Sequence, residues 1–257
     1  MSALPRKHNT LLPIRPARPA PGGNMPLVAH LEELRDRLVR SAIAVAVTTA
    51  LAFLFISPIM SALLDLAGTH TIQAIDPTET FGTYFGVAFT AGLGLAMPVL
   101  VYQLMRFLAP GLSRGEKRGL YAAIPFVAVC FVSGALFCYY VVLPSTLNFL
   151  LGFGDPRIKQ QIVLTKFVGF VSHFMLAVGL AFELPVILLL LAQLGVLTYG
   201  RLARFRKYAF LLAFVVAAVI TPTPDPINQS LVAVPLFLLY ELGTQLSRLV
   251  RRTPRPV

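Results

Sequence analysis

Seven stretches of 15 or more residues in this chain carry no Asp, Glu, Lys or Arg: Ser41–Leu64, Thr80–Met105, Gly119–Gly154, Phe167–Phe182, Leu184–Gly200, Tyr208–Pro224 and Pro226–Tyr240. A helix that crosses a bilayer needs about 20 predominantly apolar residues, and the first three stretches exceed that. Only Glu183 separates the fourth from the fifth, so the two read as one long helix with a carboxylate near its middle. The expectation is an all-α polytopic membrane protein with six spans, near residues 40–60, 82–107, 120–143, 167–194, 208–221 and 227–243. Only 13% of the residues are charged and the mean hydropathy is +0.75, against about 25% charged residues in soluble domains. That excludes a soluble enzyme or binding module.

The net charge of +11 is first a topology signal. Of 22 Lys and Arg, 19 fall in the N-terminal 40 residues, in segments 106–118 and 201–207, and from Arg248 onward; Arg157, Lys159 and Lys166 alone fall on the other side. Basic residues flanking spans stay cytoplasmic, so an even span count places both termini in the cytoplasm; the location expected is the cytoplasmic (inner) membrane. Attraction to anionic membrane lipids is a by-product, and no nucleic-acid partner is expected.

Three regions follow. Residues 1–24 read as a disordered Pro/Arg-rich cytoplasmic tail, too polar for a signal peptide; 25–247 form the membrane domain; 248–257 are a basic cytoplasmic tail. At the start of the membrane domain, Leu27, Leu31, Leu34 and Leu38 make one apolar stripe, which predicts an amphipathic helix on the inner membrane surface leading into span one.

No reaction chemistry is apparent. The histidines His8, His30, His70 and His173 are scattered, so no metal-ligand cluster is expected. Asp65, Asp76, Asp155 and Asp225 lie in or beside loops, where an intramembrane aspartyl protease needs a membrane pair; nothing marks out Ser133 and His173 as a serine-type site. There is no Gly-rich phosphate loop, and neither a cofactor nor an enzymatic activity is expected. Cys130 and Cys138, eight residues apart in an apolar run, would be about 12 Å apart along a helix, too far for a disulfide.

Carboxylates in unusual places remain. Glu33 and Glu116 are acidic exceptions on a basic face, and a carboxylate matches the rigid donor fork of an arginine as it cannot match a lysine. On the residues alone, Glu33 reads more simply as a solvated i,i+4 pair with Arg37, worth about 0.3–0.5 kcal/mol, and Glu116 as an acid favouring the first turn of a helix. If the two carboxylates instead accept guanidinium groups, replacing Arg37 by Gln is expected to matter less than replacing either Glu. Glu32 and Asp36 read as surface charge. Glu183, near mid-membrane, must be neutral, paired or facing water, and Pro185 beside it predicts a kink.

His30-Leu-Glu-Glu-Leu-Arg-Asp-Arg-Leu38, Phe81-Gly-Thr-Tyr-Phe85, Pro98-Val-Leu-Val-Tyr-Gln103 with Phe107-Leu-Ala-Pro-Gly-Leu112 and Glu116-Lys-Arg118, Phe182-Glu-Leu-Pro185, and Thr221-Pro with Asp225 and Gln229 resemble, in order and spacing, the TatC family of the twin-arginine (Sec-independent) protein translocase. The resemblance spans roughly residues 25–247. It implies a glove-shaped bundle that binds twin-arginine signal peptides on its cytoplasmic face, with Glu33, Glu116, Arg35 and Phe107 as the binding residues. It further implies export of folded proteins with single-span TatA and/or TatB, driven by the proton-motive force, within a homo-oligomeric complex. Glu183, Gln229 and Asp225 become intramembrane polar or partner contacts, and Pro58, Pro98 and Pro185 structural positions. Residues 1–24 have no counterpart in that family pattern.

The rival reading is a proton-coupled small-solute transporter using Glu183, which predicts inverted repeats around a midplane site; no such symmetry is visible. Finally, the last two spans, of about 14 and 17 residues, would reach only about 21 and 25 Å across a hydrocarbon core of about 30 Å.

Overall fold

The computed structural model describes residues 27–108, 114–152, 161–193, 195–221 and 225–248. In order, they form α1 (Leu27–Leu54), α2 (Ile56–Asp65), β1 (Ile72–Gln73), α3 (Pro77–Leu108) and α4 (Arg114–Phe137). A π-helical turn (Cys138–Val142) then leads into α5 (Leu143–Gly152), followed by β2 (Ile162–Val163), α6 (Leu164–Ala181), α7 (Leu184–Gln193), α8 (Tyr199–Ile220) and α9 (Pro226–Ser247). The molecule is an all-α polytopic membrane protein. Five helical stretches are long and apolar enough to cross a membrane: Leu31–Leu54, Pro77–Phe107, Ile124–Gly152, Leu164–Gln193 and Pro226–Ser247. The exception is α8, because Arg201, Arg204, Arg206 and Lys207 occupy its first turns.

Two prolines set the helix breaks. A proline ring clashes with the carbonyl four residues earlier and cannot donate to it. Four residues before Pro58 is Leu54, where α1 ends; four before Pro185 is Ala181, where α6 ends. The expected single helix through Glu183 is therefore two, joined by a tight turn in which the Glu183 amide reaches back only to the Leu180 carbonyl at 3.1 Å. Pro98, by contrast, lies inside an unbroken α3.

Two other expectations change. The amphipathic segment is not a separate surface helix: α1 runs without interruption from Leu27 to Leu54, since no Pro or Gly interrupts it. Nor is the last helix short, because α9 has 22 residues, about 33 Å at 1.5 Å per residue. Its uncharged part ends at Tyr240, and pairing of Glu241 with Arg206 of α8 lets both helices continue as polar extensions.

Close packing relies on small residues, as expected where no water drives helices together. The Phe131 ring of α4 lies where a Cβ on Gly94 of α3 or on Gly179 of α6 would stand, 2.7 Å from each built position. Likewise, Gly92 of α3 lets α1 approach so that Thr48 donates to its carbonyl at 2.7 Å. Helix α1 packs chiefly on α3, while Leu38, Ile43, Val47 and Leu51 stay exposed, as befits a lipid-facing side. This docking fixes the N-terminal half of α1 beside the C-terminal half of α3.

Candidate functional site

Where α1 meets the end of α3, three polar side chains connect. Arg37 donates through Nη2 to Glu33 Oε1 at 2.8 Å and through Nη1 to Gln103 Oε1 at 3.2 Å. The i,i+4 spacing on one helix face makes the first contact; the close approach of α1 to α3 makes the second. The Arg37 and Glu33 side chains retain only 12% and 22% exposure, so this is a half-buried pair anchored on a second helix rather than a solvated one. Arg35 is exposed on the same helix, and half-buried Phe107 lies one turn beyond Gln103 on α3. Glu116 falls in the first turn of α4; its side chain lies outside the described residues. The connection 109–113 joins the end of α3 to the start of α4, so Glu116 belongs to the same end of the bundle as Gln103.

Glu183 sits in contrasting surroundings. It is 1% exposed, and neither carboxyl oxygen has a hydrogen-bond partner among the described residues. Val186 and Leu190, next on α7, join Met97, Val101 and Met105 of α3 and Val127 and Cys130 of α4 in one apolar cluster. Of the fates open to a mid-membrane carboxylate, pairing within the described chain and access to water are thus both withdrawn. What remains is a neutral acid, or one whose partner comes from outside.

Asp225 and Gln229 stabilise the α8–α9 hairpin. Asp225 caps α9, accepting from the Ile227 and Asn228 amides at 3.1 and 2.9 Å and from the Asn228 side chain, with Pro226 as the first helical residue. Gln229 donates to the Phe214 carbonyl of α8 at 3.0 Å, and Ser145 of α5 donates to the Asn228 side chain at 2.8 Å. The capping explains the placement of Asp225 without any partner.

Sequence reasoning missed Glu79. Asp76-Pro-Thr-Glu79 is a capping box: Asp76 accepts from the Thr78 amide at 2.7 Å, and Glu79 accepts from the Asp76 and Ile75 amides at 3.3 and 2.6 Å. The other Glu79 oxygen accepts from the Thr165 amide at 2.9 Å, tying the start of α3 to the start of α6 beside the parallel pairing of Ile72 with Ile162 and Gln73 with Val163. The Thr78 hydroxyl and amide, both donating to Asp76, hold its carboxyl below the usual carboxylate range. The Asp-x-x-Glu spacing with Pro at the first helical position was a readable signal. Gln103 was legible only as part of a motif, because its partner lies 66 residues away.

With this geometry in view, the comparisons with known proteins agree. The family model of the Sec-independent protein translocase protein (TatC) matches residues 29–235. The protein named Sec-independent protein translocase protein TatC from Deinococcus radiodurans is 38% identical over 264 residues, covering 98% of this chain and 95% of that protein. Its namesake from Carboxydothermus hydrogenoformans is 34% identical over 229 residues, covering 88% of this chain and 94% of the relative. A crystal structure of the twin-arginine translocase receptor TatC in the detergent DDM superposes with a TM-score of 0.73 at 36% identity, covering 85% of this chain and 99% of that one. A matched family model over most of the chain, relatives of near-equal length and a shared helical architecture converge: the chain belongs to the TatC family.

Proposed function

We propose that this chain is the twin-arginine signal receptor and core subunit of a Sec-independent protein translocase, acting without chemistry of its own. The observation that carries this reading, beside family membership, is the Glu33–Arg37–Gln103 connection. It places an anchored carboxylate among the exposed cations Arg35, Arg40 and Arg106, at the end where the described basic residues gather. A peptide guanidinium entering there meets a directional acceptor within a positive surrounding, which favours arginine's fork over a lysine's point charge. Glu33 and Glu116 supply one acceptor for each of two arginines, with Arg35 and Phe107 flanking them.

In this reading α8 is a sixth span, with both termini and segments 106–118 and 195–207 in the cytoplasm and the chain in the inner membrane. Its uncharged part, Tyr208–Ile220, reaches only about 20 Å, so the bilayer is thinned at the α8–α9 hairpin. The partners are twin-arginine precursors, single-span TatA and/or TatB, membrane lipids and further copies of the chain within the complex, and the proton-motive force drives export. Glu183 is the residue offered for a polar contact with a partner helix, which would have to part the apolar cluster that encloses it, whereas Asp225 and Gln229 serve the α8–α9 hairpin itself. The solute-transporter alternative requires a midplane carboxylate that water and solute reach; Glu183 is enclosed.

The test is crosslinking of a twin-arginine precursor to membranes carrying the parent chain, Glu33→Gln or Glu116→Gln. Both variants should lose crosslinking at unchanged protein abundance. Equal crosslinking by both would show that the two carboxylates are surface charges and not the receptor site.

A further inference from the structure

A guanidinium paired with a carboxylate frequently lays its fork across both carboxyl oxygens. Arg37 does not. It splits the fork, one arm on Glu33 Oε1 and the other on Gln103 of α3, and its Nε is buried with no hydrogen-bond partner among the described residues. Among the described residues Glu33 Oε2 accepts no hydrogen bond, although the side chain keeps 22% exposure. A long, flexible carboxylate is thus fastened to a neighbouring helix through one oxygen, while the other is left without a hydrogen bond among the described residues on a side chain that keeps part of its exposure.

We propose that Arg37 is a positioning residue for guanidinium recognition: anchored on Gln103, it holds the Glu33 carboxylate in one orientation with Oε2 open to an arginine of the signal peptide. The proposal rests on the receptor reading above and adds a residue that never touches the peptide. Two consequences follow. Rotamer freedom that Glu33 would lose on binding is already lost in the empty site, so binding is tighter. And because Arg37 cancels most of the Glu33 charge, attraction at a distance is weak and the directional bond to Oε2 dominates. A lysine pair, which depends on net charge, therefore gains little, and Arg37 contributes to the preference for arginine over lysine.

The experiment measures dissociation constants of fluorescent Arg-Arg and Lys-Lys signal peptides with the full chain in lipid nanodiscs. The parent is compared with Glu33→Gln, Arg37→Gln, Arg37→Lys, Gln103→Leu and the Glu33→Gln/Arg37→Gln double variant. Reversing the sequence expectation that Arg37 matters less, Glu33→Gln and Arg37→Gln should each weaken the Arg-Arg peptide about tenfold, the scale of one charge-assisted hydrogen bond. The double variant should be no weaker than Glu33→Gln alone, since Arg37 acts only through Glu33. Arg37→Gln should leave the Lys-Lys peptide unweakened, so the Arg-to-Lys preference shrinks; loss of folding alone would not produce that. Arg37→Lys, which lacks the fork, should not restore the preference. Gln103→Leu, which cuts the far anchor, should reproduce part of the loss even if Arg37→Gln folds poorly. Unchanged or tighter Arg-Arg binding by Arg37→Gln, or losses that multiply in the double variant, would overturn the inference. Unchanged binding by Glu33→Gln would instead remove the receptor reading at this site, and the inference with it.

Discussion

The rim where α1 meets α3 and the break between α6 and α7 each hold a glutamate, and the two are treated in opposite ways. Glu33 keeps some exposure and is given a cation that is itself anchored on another helix. Glu183 is 1% exposed and, among the described residues, has no hydrogen-bond partner for either oxygen. The difference is one of solvent. Near water, a carboxylate ionises cheaply, and a neighbouring arginine fixes its direction at little energetic cost. In a bundle surrounded by lipid, an ionised and unpartnered carboxylate costs several kcal/mol, so the group is held as a neutral acid or completed from outside. The first arrangement suits recognition of a charged peptide; the second suits a polar contact with another helix.

The largest expected effect comes from removing the unpartnered group. Glu183→Leu should raise thermal stability by about 1–3 kcal/mol, because a buried polar group without partners is replaced by an apolar side chain of similar size. It should impair export at the same time, whereas Glu183→Gln should preserve export by keeping the polar contact. Thermal unfolding of the purified variants and a precursor export assay read the two effects; a Leu variant that loses stability would show that the carboxyl has a partner in the folded chain.

At the rim the effect is smaller. Glu33→Gln should leave stability within about 1 kcal/mol, since the half-buried pair with Arg37 is replaced by a neutral hydrogen bond to the same guanidinium. Thermal unfolding beside peptide binding separates the two roles: a large stability loss would make Glu33 a structural residue and erase the contrast with Glu183.

Asp225 provides a third carboxylate between these extremes, buried but satisfied by backbone amides. Asp225→Ala should cost about 1 kcal/mol of stability and Asp225→Asn much less, because asparagine caps a helix as well as aspartate. Equal losses would mean that its charge, rather than its capping, matters.

Part of this was readable along the chain, for a physical reason: burial in lipid imposes uncharged runs, and Pro185 foretold a kink, but the outright breaks at Leu54 and Ala181 were not read, because the spans near 40–60 and 167–194 each looked like one helix. The span placed near 208–221 begins earlier than its uncharged run, because α8 starts at Tyr199 after the Thr198 cap and its first turns carry the basic residues 201–207. Tertiary pairings left no local trace. Arg37 looked like an ordinary i,i+4 partner because Gln103 comes from another helix, and the Glu79 tie to Thr165 joins residues 86 apart. The π-helical turn at Cys138–Val142, fastened by the Tyr139 hydroxyl to the Ala62 carbonyl at 3.0 Å, had no sequence signature either.

The central claim is that the α1–α3 rim receives the arginine pair, and a photocrosslinker at Asp36 tests it most directly. Asp36 is exposed and lies three residues from Glu33, on the same side of α1. In membrane vesicles, a twin-arginine precursor should crosslink at this position, and its Lys-Lys version should not. Crosslinking of both precursors alike, or of neither while the arginine version is still exported, would contradict the account.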